Sequence, residues 1–409
     1  MTRDSVYDLV IVGGGMVGAS LAIALAGRGL RMALIEAYPP GAEGQPSYDD
    51  RAIALAYGSS RIFEAVGVWP TMRGSAEPIL DIHVSDRGHF GFTRLSAEEE
   101  DVPALGYVIT ARELGRVLLD RLPKIGSLDV IAPARLLGFV DAGDRVSVEI
   151  ERDGLVSTLE SRLLVAADGG SSTVREQLDV PVQRWQYGQS AVVTNISPAQ
   201  AHRNVAYERF TDSGPVALLP MSEGRCAVVW TVSDAQVNEV LGLDDQQFLA
   251  AFQQRFGYRL GRFEKVGRRA AYPLSLLRAR ESVRGRAVVI GNAAHTLHPI
   301  AGQGFNLGIR DVAALAEVID AAAVAGSDIG SPEVLSTYEA WRSAEQRNVA
   351  LATDGLARLF SNPLGLVRLG RNLGLLAMDL LPAVKHPLAR AAMGLMGRQP
   401  RLARGVPLG

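Results

Sequence analysis

Cysteine is nearly absent from this 409-residue chain, with Cys226 the single example. One thiol excludes an internal disulfide and any multi-thiolate metal or iron–sulfur site, and it suits a reduced, cytoplasm-facing compartment. An excess of charge of one sign is missing as well. The 42 basic and 44 acidic residues leave a formal net charge of −2, so there is no nucleic-acid footprint. No stretch is long and clean enough to span a membrane. The longest early uncharged run, Leu9 to Gly27, has three successive glycines in its middle. That interruption argues against both a signal peptide and a membrane span, and for a strand, a turn and a helix.

Glycine is what the chain has in abundance, 43 residues without the three-residue period of collagen. The length exceeds one ordinary core, which points to two domains or to one large α/β domain with an insertion. Leu9-Val10-Ile11-Val12 reads as a fully buried parallel strand. Val17 to Gly27 reads as a helix of small and apolar residues, and Arg31 to Glu36 as the next strand. Gly13-x-Gly15-x-x-Gly18 lies between the first strand and the helix. Gly13 permits the tight turn, Gly15 lets backbone approach a pyrophosphate, and Gly18 lets the helix sit close to the sheet. Glu36 ends the second strand, 18 residues beyond Gly18, where a carboxylate can accept both ribose hydroxyls of an adenosine. The pattern points to a dinucleotide here, a structural glycine turn being the alternative, and this motif alone does not separate FAD from NAD.

The order of elements along the chain suggests a discontinuous nucleotide domain, residues 1–72, 100–182 and 272–350. A β-rich insertion, residues 73–99 and 183–271, would complete the catalytic body. Ala52 to Val66 is read as helix, and Gly106 to Leu122 contains another. Strands are expected at Arg145 to Glu151, Leu155 to Leu159, Ser190 to Asn195, Val205 to Phe210, Pro215 to Leu219 and Ala227 to Val232, with a helix from Asp244 to Phe256. The acidic run Glu98 to Asp101 reads as a solvated face. Residues 351–409 form a basic, amphipathic helical tail, with eight basic side chains against two acidic ones. Such a tail either lies on an anionic bilayer surface or packs on the body or a partner subunit.

Two later segments separate the cofactors. Asp168-Gly169-Gly170-Ser171-Ser172-Thr173-Val174-Arg175 follows one buried strand, and Gly291-Asn292-Ala293-Ala294-His295-Thr296-Leu297-His298-Pro299 follows another, continuing through Gly302-Gln303-Gly304-Phe305-Asn306. With these three separated motifs in order, the chain resembles the class A flavoprotein monooxygenases of the p-hydroxybenzoate hydroxylase type, over about residues 5 to 350. Within them it looks most like the ubiquinone-biosynthesis hydroxylases of the polyprenyl-methoxyphenol branch.

That resemblance implies an α/β fold: a Rossmann-like FAD-binding domain of the glutathione-reductase type, an inserted β-rich substrate domain and a C-terminal helical segment. It implies FAD as cofactor, NADPH as co-substrate, O2, and hydroxylation of a polyprenylated methoxyphenol through a C4a-hydroperoxyflavin. By the same resemblance Gly13, Gly15, Gly18, Glu36, Asp168, Gly169, Gly291, Asn292, Pro299, Gly302, Gly304, Phe305 and Asn306 contact the flavin nucleotide. Arg51 and Arg112 sit where the family places flavin-contacting arginines, the alternative being surface arginines paired with neighbouring acids. The family's usual Gly-Asp is here Gly291-Asn292, which keeps an acceptor and removes a charge.

No secure general base is legible, and His298 and Pro299 are the weak catalytic candidates. His295 reads as a satisfied loop histidine, and no metal cluster is expected. Tyr207, Leu218, Pro220 and Trp230 are candidate substrate contacts, with a sheet core as the alternative for the aromatics. Other expected partners are a ubiquinone-biosynthesis complex and peripheral contact with the inner membrane of an otherwise cytoplasmic protein. Competing functions are hydroxylation of another ubiquinone intermediate or a small aromatic compound, or a flavin-binding interaction protein of a biosynthetic complex.

Overall fold

The first strand, β1 (Tyr7–Val12), is apolar on both faces and occupies the centre of a parallel sheet. The computed structural model describes residues 6–39, 49–297, 302–361 and 365–409. β1 pairs in parallel with β2 (Met32–Ile35) on one side and with the end of the strand Leu155–Ala166 on the other. Leu128–Ile131 extends the sheet beyond β2, and Ala287–Val289 extends it beyond Leu155–Ala166. Between β1 and β2 runs α1 (Met16–Ala24), buried continuously from Gly18 to Ala24. Burial all round is what a helix of Ala, Leu, Ile and Gly permits, and α1 is packed between the helices Ala111–Arg121 and Gln303–Val324.

The strand Leu155–Ala166 serves two structures. Its second half lies in the parallel sheet, and its first half forms a hairpin with Val146–Arg152. Asp153 and Gly154 make the two-residue turn, both with positive φ, which matches the right-handed twist of the strands. The expected strand Leu155 to Leu159 thus runs on without a break to Ala166.

A second, nine-stranded sheet is built around the long strand Val182–Pro198. Its neighbours are Cys226–Ser233 and Ala270–Ala279, and the order continues through Gly214–Pro220 and Val205–Thr211. Asp81–Asp86 pairs in parallel with Val205–Thr211, followed by Phe92–Ser96, so residues from two distant stretches of sequence share the sheet. One face is covered by the helix Asp245–Phe256, which starts from a capping box. There Asp244 accepts from the Gln247 amide at 2.8 Å, and the Gln247 side chain accepts from the Asp244 amide at 3.1 Å. Phe248, Phe252 and Phe256 on that helix pack into the sheet.

Ala52 to Val66 is not one helix. Ala52–Ala56 is a strand paired antiparallel with Gly106–Thr110, and the helix Tyr57–Ala65 follows it. Propensity alone favours helix for this alanine-rich stretch, and backbone pairing to Gly106–Thr110 overrides it.

The tail begins as the end of the helix Pro332–Ser361 and continues among the described residues in the helices Gly365–Leu380 and Pro382–Ala392, and one of its faces is packed on the body. Arg371 pairs with Asp86 at 2.9 Å, Asn372 accepts from the Gly91 amide at 2.8 Å, and Met393 is buried against Leu95 and Leu105. Lys385 and His386 reach Glu99 and Glu100, each at 2.6 Å. The acidic run is therefore partly a docking edge for the tail, not wholly a solvated face.

Candidate flavin site

The fingerprint turn is tight enough to specify its glycines. Gly13 has φ +103°, and a Cβ there would lie 2.5 Å from the Ala167 carbonyl oxygen. A Cβ on Gly18 would lie 2.0 Å from the Gly13 carbonyl oxygen. The first motif is thus pressed against the second as well as against its own helix. Gly15 is the residue before the first turn of α1, so the helix begins with amides that no side chain of that residue can cap. Glu36 follows β2 with its carboxylate fixed by two amides, Gly14 N at 2.7 Å and Tyr38 N at 2.9 Å. Each oxygen retains a lone pair for a ligand hydroxyl.

Asp168 follows the strand Leu155–Ala166. Its Oδ2 accepts from the Val174 amide at 3.3 Å, while its buried Oδ1 has no partner among the described residues. Burial pushes the Asp168 carboxyl up. An orphaned buried oxygen beside Gly169, whose α-carbon faces open space, is the kind of atom that a ligand hydroxyl satisfies. Arg175 is itself buried, and its guanidinium donates to Ala293 O at 2.9 Å and Gly170 O at 3.1 Å. It joins the second and third motifs directly.

In the third motif Asn292 is exposed between buried Gly291 and Ala293, leaving its side chain open to a ligand. Behind it stands Asp311, wholly buried on the helix Gln303–Val324. Its carboxylate accepts from the Gly291 amide at 3.3 Å, Arg342 Nε at 2.8 Å and Gln346 Nε2 at 3.0 Å, and meets His295 Nε2 at 2.6 Å. Despite burial, His295 and Arg342 hold this carboxyl well below the usual range. His295 is therefore engaged through Nε2 in the short strand His295–Thr296, while its buried Nδ1 has no partner among the described residues, so the expected satisfied loop histidine is only half satisfied. His298 and Pro299 lie outside the described residues.

The helix Gln303–Val324 starts after Gly302, which is left-handed at φ +60°. Asn306 spends its whole side chain on the protein. Oδ1 accepts from Ala56 N and Ser59 Oγ, and Nδ2 donates to Ala54 O and Gly302 O, all at 2.8 Å. It is a clamp between this helix start and the strand Ala52–Ala56, with no bonding capacity left for a cofactor. Phe305 packs against the core beside it, and Gly304 faces open space. Arg51 pairs with Asp49 at 2.6 Å and lies over the Tyr272 ring, and Arg112 pairs with Asp50 at 2.7 Å. Both make the neighbouring ion pairs that were the alternative reading of these positions.

A glycine cradle closed to any Cβ, a fixed carboxylate at the end of β2, an orphaned Asp168 oxygen and an open Asn292 together fit FAD. The chain matches the family described as FAD binding domain over residues 6–353. It belongs to the FAD-dependent aromatic monooxygenases. Ubiquinone hydroxylase UbiL of Rhodospirillum rubrum is 40% identical over 410 residues, covering 100% of this chain and 95% of that protein. The 3-demethoxyubiquinol 3-hydroxylase of Escherichia coli is 31% identical, covering 95% and 98%. In fold the chain resembles p-nitrophenol 4-monooxygenase PnpA of Pseudomonas putida, with TM-score 0.79, 19% identity and coverage of 97% and 100%.

In this monooxygenase the β-rich sheet has two unlike faces. Tyr207, Leu218 and Trp230 point away from the nucleotide domain, into the cluster of Phe248, Phe252 and Phe256. They are core, which corrects their assignment as substrate contacts. Buried Pro220 opposes Cys226, which belongs to the same cluster. Burial pushes the Cys226 thiol up to about 12, as befits a small hydrophobe. Because side chains alternate along a strand, the residues facing the nucleotide domain are the adjacent ones, Ala217, Leu219 and Val229. Ala206, Ala227 and Leu219 on this face pack with Ala52 and Val108, the strands beside the flavin motifs. The sequence signal for this inner face is the small or polar partner of each aromatic, and attention to the aromatics hides it.

Proposed function

We propose that this enzyme hydroxylates the ring of a polyprenylated methoxyphenol in ubiquinone biosynthesis, consuming O2 and NAD(P)H, with NADPH as the expected co-substrate. The observation that carries the reading is the convergence of three nucleotide motifs at the edge of an apolar sheet face, in a chain alike along its whole length to a ubiquinone hydroxylase. Bound FAD supplies hydride acceptance and oxygen activation. The protein's share is to hold the cofactor at the helix starts of the first and third motifs, and to keep water from the reacting ring with the wall of Ala217, Leu219 and Val229. Gly13, Gly15, Gly18, Glu36, Asp168, Gly169, Gly291, Asn292, Gly302 and Gly304 form the cofactor site on this reading.

The greasy substrate reaches the enzyme along the tail. The helix Gly365–Leu380 leaves Leu366, Leu369, Leu373 and Leu380 at least half exposed, at helical spacing and opposite its packed face. No helix among the described residues is long and apolar enough to cross a membrane. The tail therefore lies on the bilayer surface or against another quinone-pathway protein, and Arg368 and Arg390 are exposed beside the leucines. Deleting the gene and identifying the accumulated quinone precursor tests the assignment. A methoxyphenol lacking one ring hydroxyl is expected. An unchanged quinone profile would contradict it.

A further inference from the structure

Across the β-rich sheet, one row of opposed residues on the inner face reads Val84, Glu208, Ala217, Val229, Val193 and Ala270. Five of the six are small and apolar, and the sixth is a carboxylic acid. The row lies between two packed zones of the same face. On one side Ala206, Leu219 and Ala227 meet Ala52 and Val108. On the other Phe210 meets Phe360 and Leu375. Between them Glu208, Ala217, Val229 and Val193 each keep partial accessibility, whereas Val192, Val216, Leu218 and Val228 on the opposite face have almost none. Glu208 is thus half-buried, with its side chain still partly accessible between two packed zones.

Its carboxylate has no hydrogen bond or ion pair among the described residues. Charged and titratable groups around the row are already engaged: Asp86 with Arg371 and Asn372, Asp354 with Tyr187, and Tyr272 with Asp49. On its own strand the neighbours sharing its face are Ala206 and Phe210, and on the next strand Pro215, Ala217 and Leu219. A lone carboxyl in an apolar setting is costly unless a ligand uses it.

We propose that Glu208 receives the ring hydroxyl of the phenolic substrate and accepts its proton. This rests on the hydroxylase reading above and adds the residue that it lacks. The O–H bond of the phenol breaks and an O–H bond forms on the carboxylate. The electron pair stays on the phenolic oxygen, and the ring becomes more nucleophilic. Burial alone pushes the Glu208 carboxyl up to about 8. An ordinary carboxylate is far too weak a base for a phenol near 10, whereas this one lies within about two units of it.

The test uses FAD-loaded enzyme and 2-farnesyl-6-methoxyphenol. Ultraviolet difference spectra of the bound, unreacted phenol are recorded against pH for wild type, Glu208→Gln and Glu208→Asp, together with kcat. In wild type the phenol should bind more tightly and kcat should rise as pH passes about 8, where the Glu208 carboxylate ionises and can accept, while the resting bound ring stays largely protonated. Glu208→Gln should bind the phenol without that pH dependence, and kcat should fall about 100-fold and lose the midpoint near pH 8, with the flavin spectrum unchanged. Glu208→Asp should restore part of kcat and of the pH dependence at a shifted midpoint, and it serves as the decisive variant if the glutamine protein does not fold. Affinity and kcat that follow pH identically in wild type and Glu208→Gln overturn the proposal. Wild-type enzyme that neither binds nor turns over this phenol instead overturns the substrate reading, which keeps the two failures apart.

Discussion

Nη1 of Arg175 donates to the carbonyl of Ala293 at 2.9 Å, so the Asp-Gly loop is tied through one buried side chain to the turn that carries Asn292. A second nitrogen holds Gly170 O. Replacing Arg175 with Met removes both bonds and strands two carbonyls. A stability loss of about 3 kcal/mol is expected, from hydrogen bonds to a charged donor. FAD affinity should fall at least tenfold, because two turns of the cofactor site lose their common support. Denaturant unfolding and FAD titration measure the two effects separately, and unchanged FAD affinity would show that the turns hold their positions alone.

Asp311 gives the fold a defined sensitivity to acid. Its folded-state carboxyl is held below the ordinary range by His295 and Arg342, so its contribution is complete above about pH 4 and is lost as pH falls toward the depressed value. Asp311→Asn removes one of the two carboxylates that buried Arg342 meets, Glu345 being the other, and should cost about 2–3 kcal/mol at neutral pH. Its stability should also decline less steeply than wild type on acidification. Parallel profiles from pH 7 to 3 would contradict this role.

At the fingerprint, Gly15→Val should abolish FAD retention, since a branched side chain occupies the space of the pyrophosphate. Asn292→Asp should hold FAD, because a carboxylate keeps the acceptor that the exposed Asn292 offers. Absorbance of the released flavin after denaturation measures both. An Asn292→Asp protein without flavin would mean that the amide donates an essential hydrogen bond.

The tail prediction follows from which of its faces is occupied. Truncation before Ser361 would remove Asn372, Met393 and Leu402 from their packed sites, so it is a poor test of docking. Leu366→Ser, Leu369→Ser and Leu373→Ser together change the outward face alone. Sedimentation with anionic liposomes should drop several-fold, with FAD absorbance intact. Exposed Arg368 and Arg390 contribute about 1 kcal/mol each near an anionic surface, so high salt should weaken wild-type binding only in part. Equal sedimentation of variant and wild type would remove the lipid contact.

Much of this was legible in the sequence because local rules and tertiary demands coincide there. β1, α1 and β2, with Gly13, Gly18 and Glu36, follow from a buried apolar run and a turn that only glycine fits. The helix ending at Phe256 is announced by Asp244 and its capping box. Elsewhere the deciding partner is remote. Ala52–Ala56 is a strand because Gly106–Thr110 lies beside it. Asn306 is spent on Ala54 and Ala56, some 250 positions away. On the β-rich sheet a single residue of alternation decides: Tyr207 and Trp230 take the core reading open to sheet aromatics, and the strand places their neighbours Glu208 and Val229 on the side facing the flavin motifs.

The central claim is oxygen transfer to a prenylated ring. The direct measurement is turnover of purified FAD-loaded enzyme with NADPH, 2-farnesyl-6-methoxyphenol and isotope-labelled O2, followed by mass spectrometry of the product. One labelled oxygen atom on the ring per nicotinamide oxidised is the expected result. NADPH oxidation that yields peroxide and leaves the ring unlabelled, or a label that enters from water, would contradict the account.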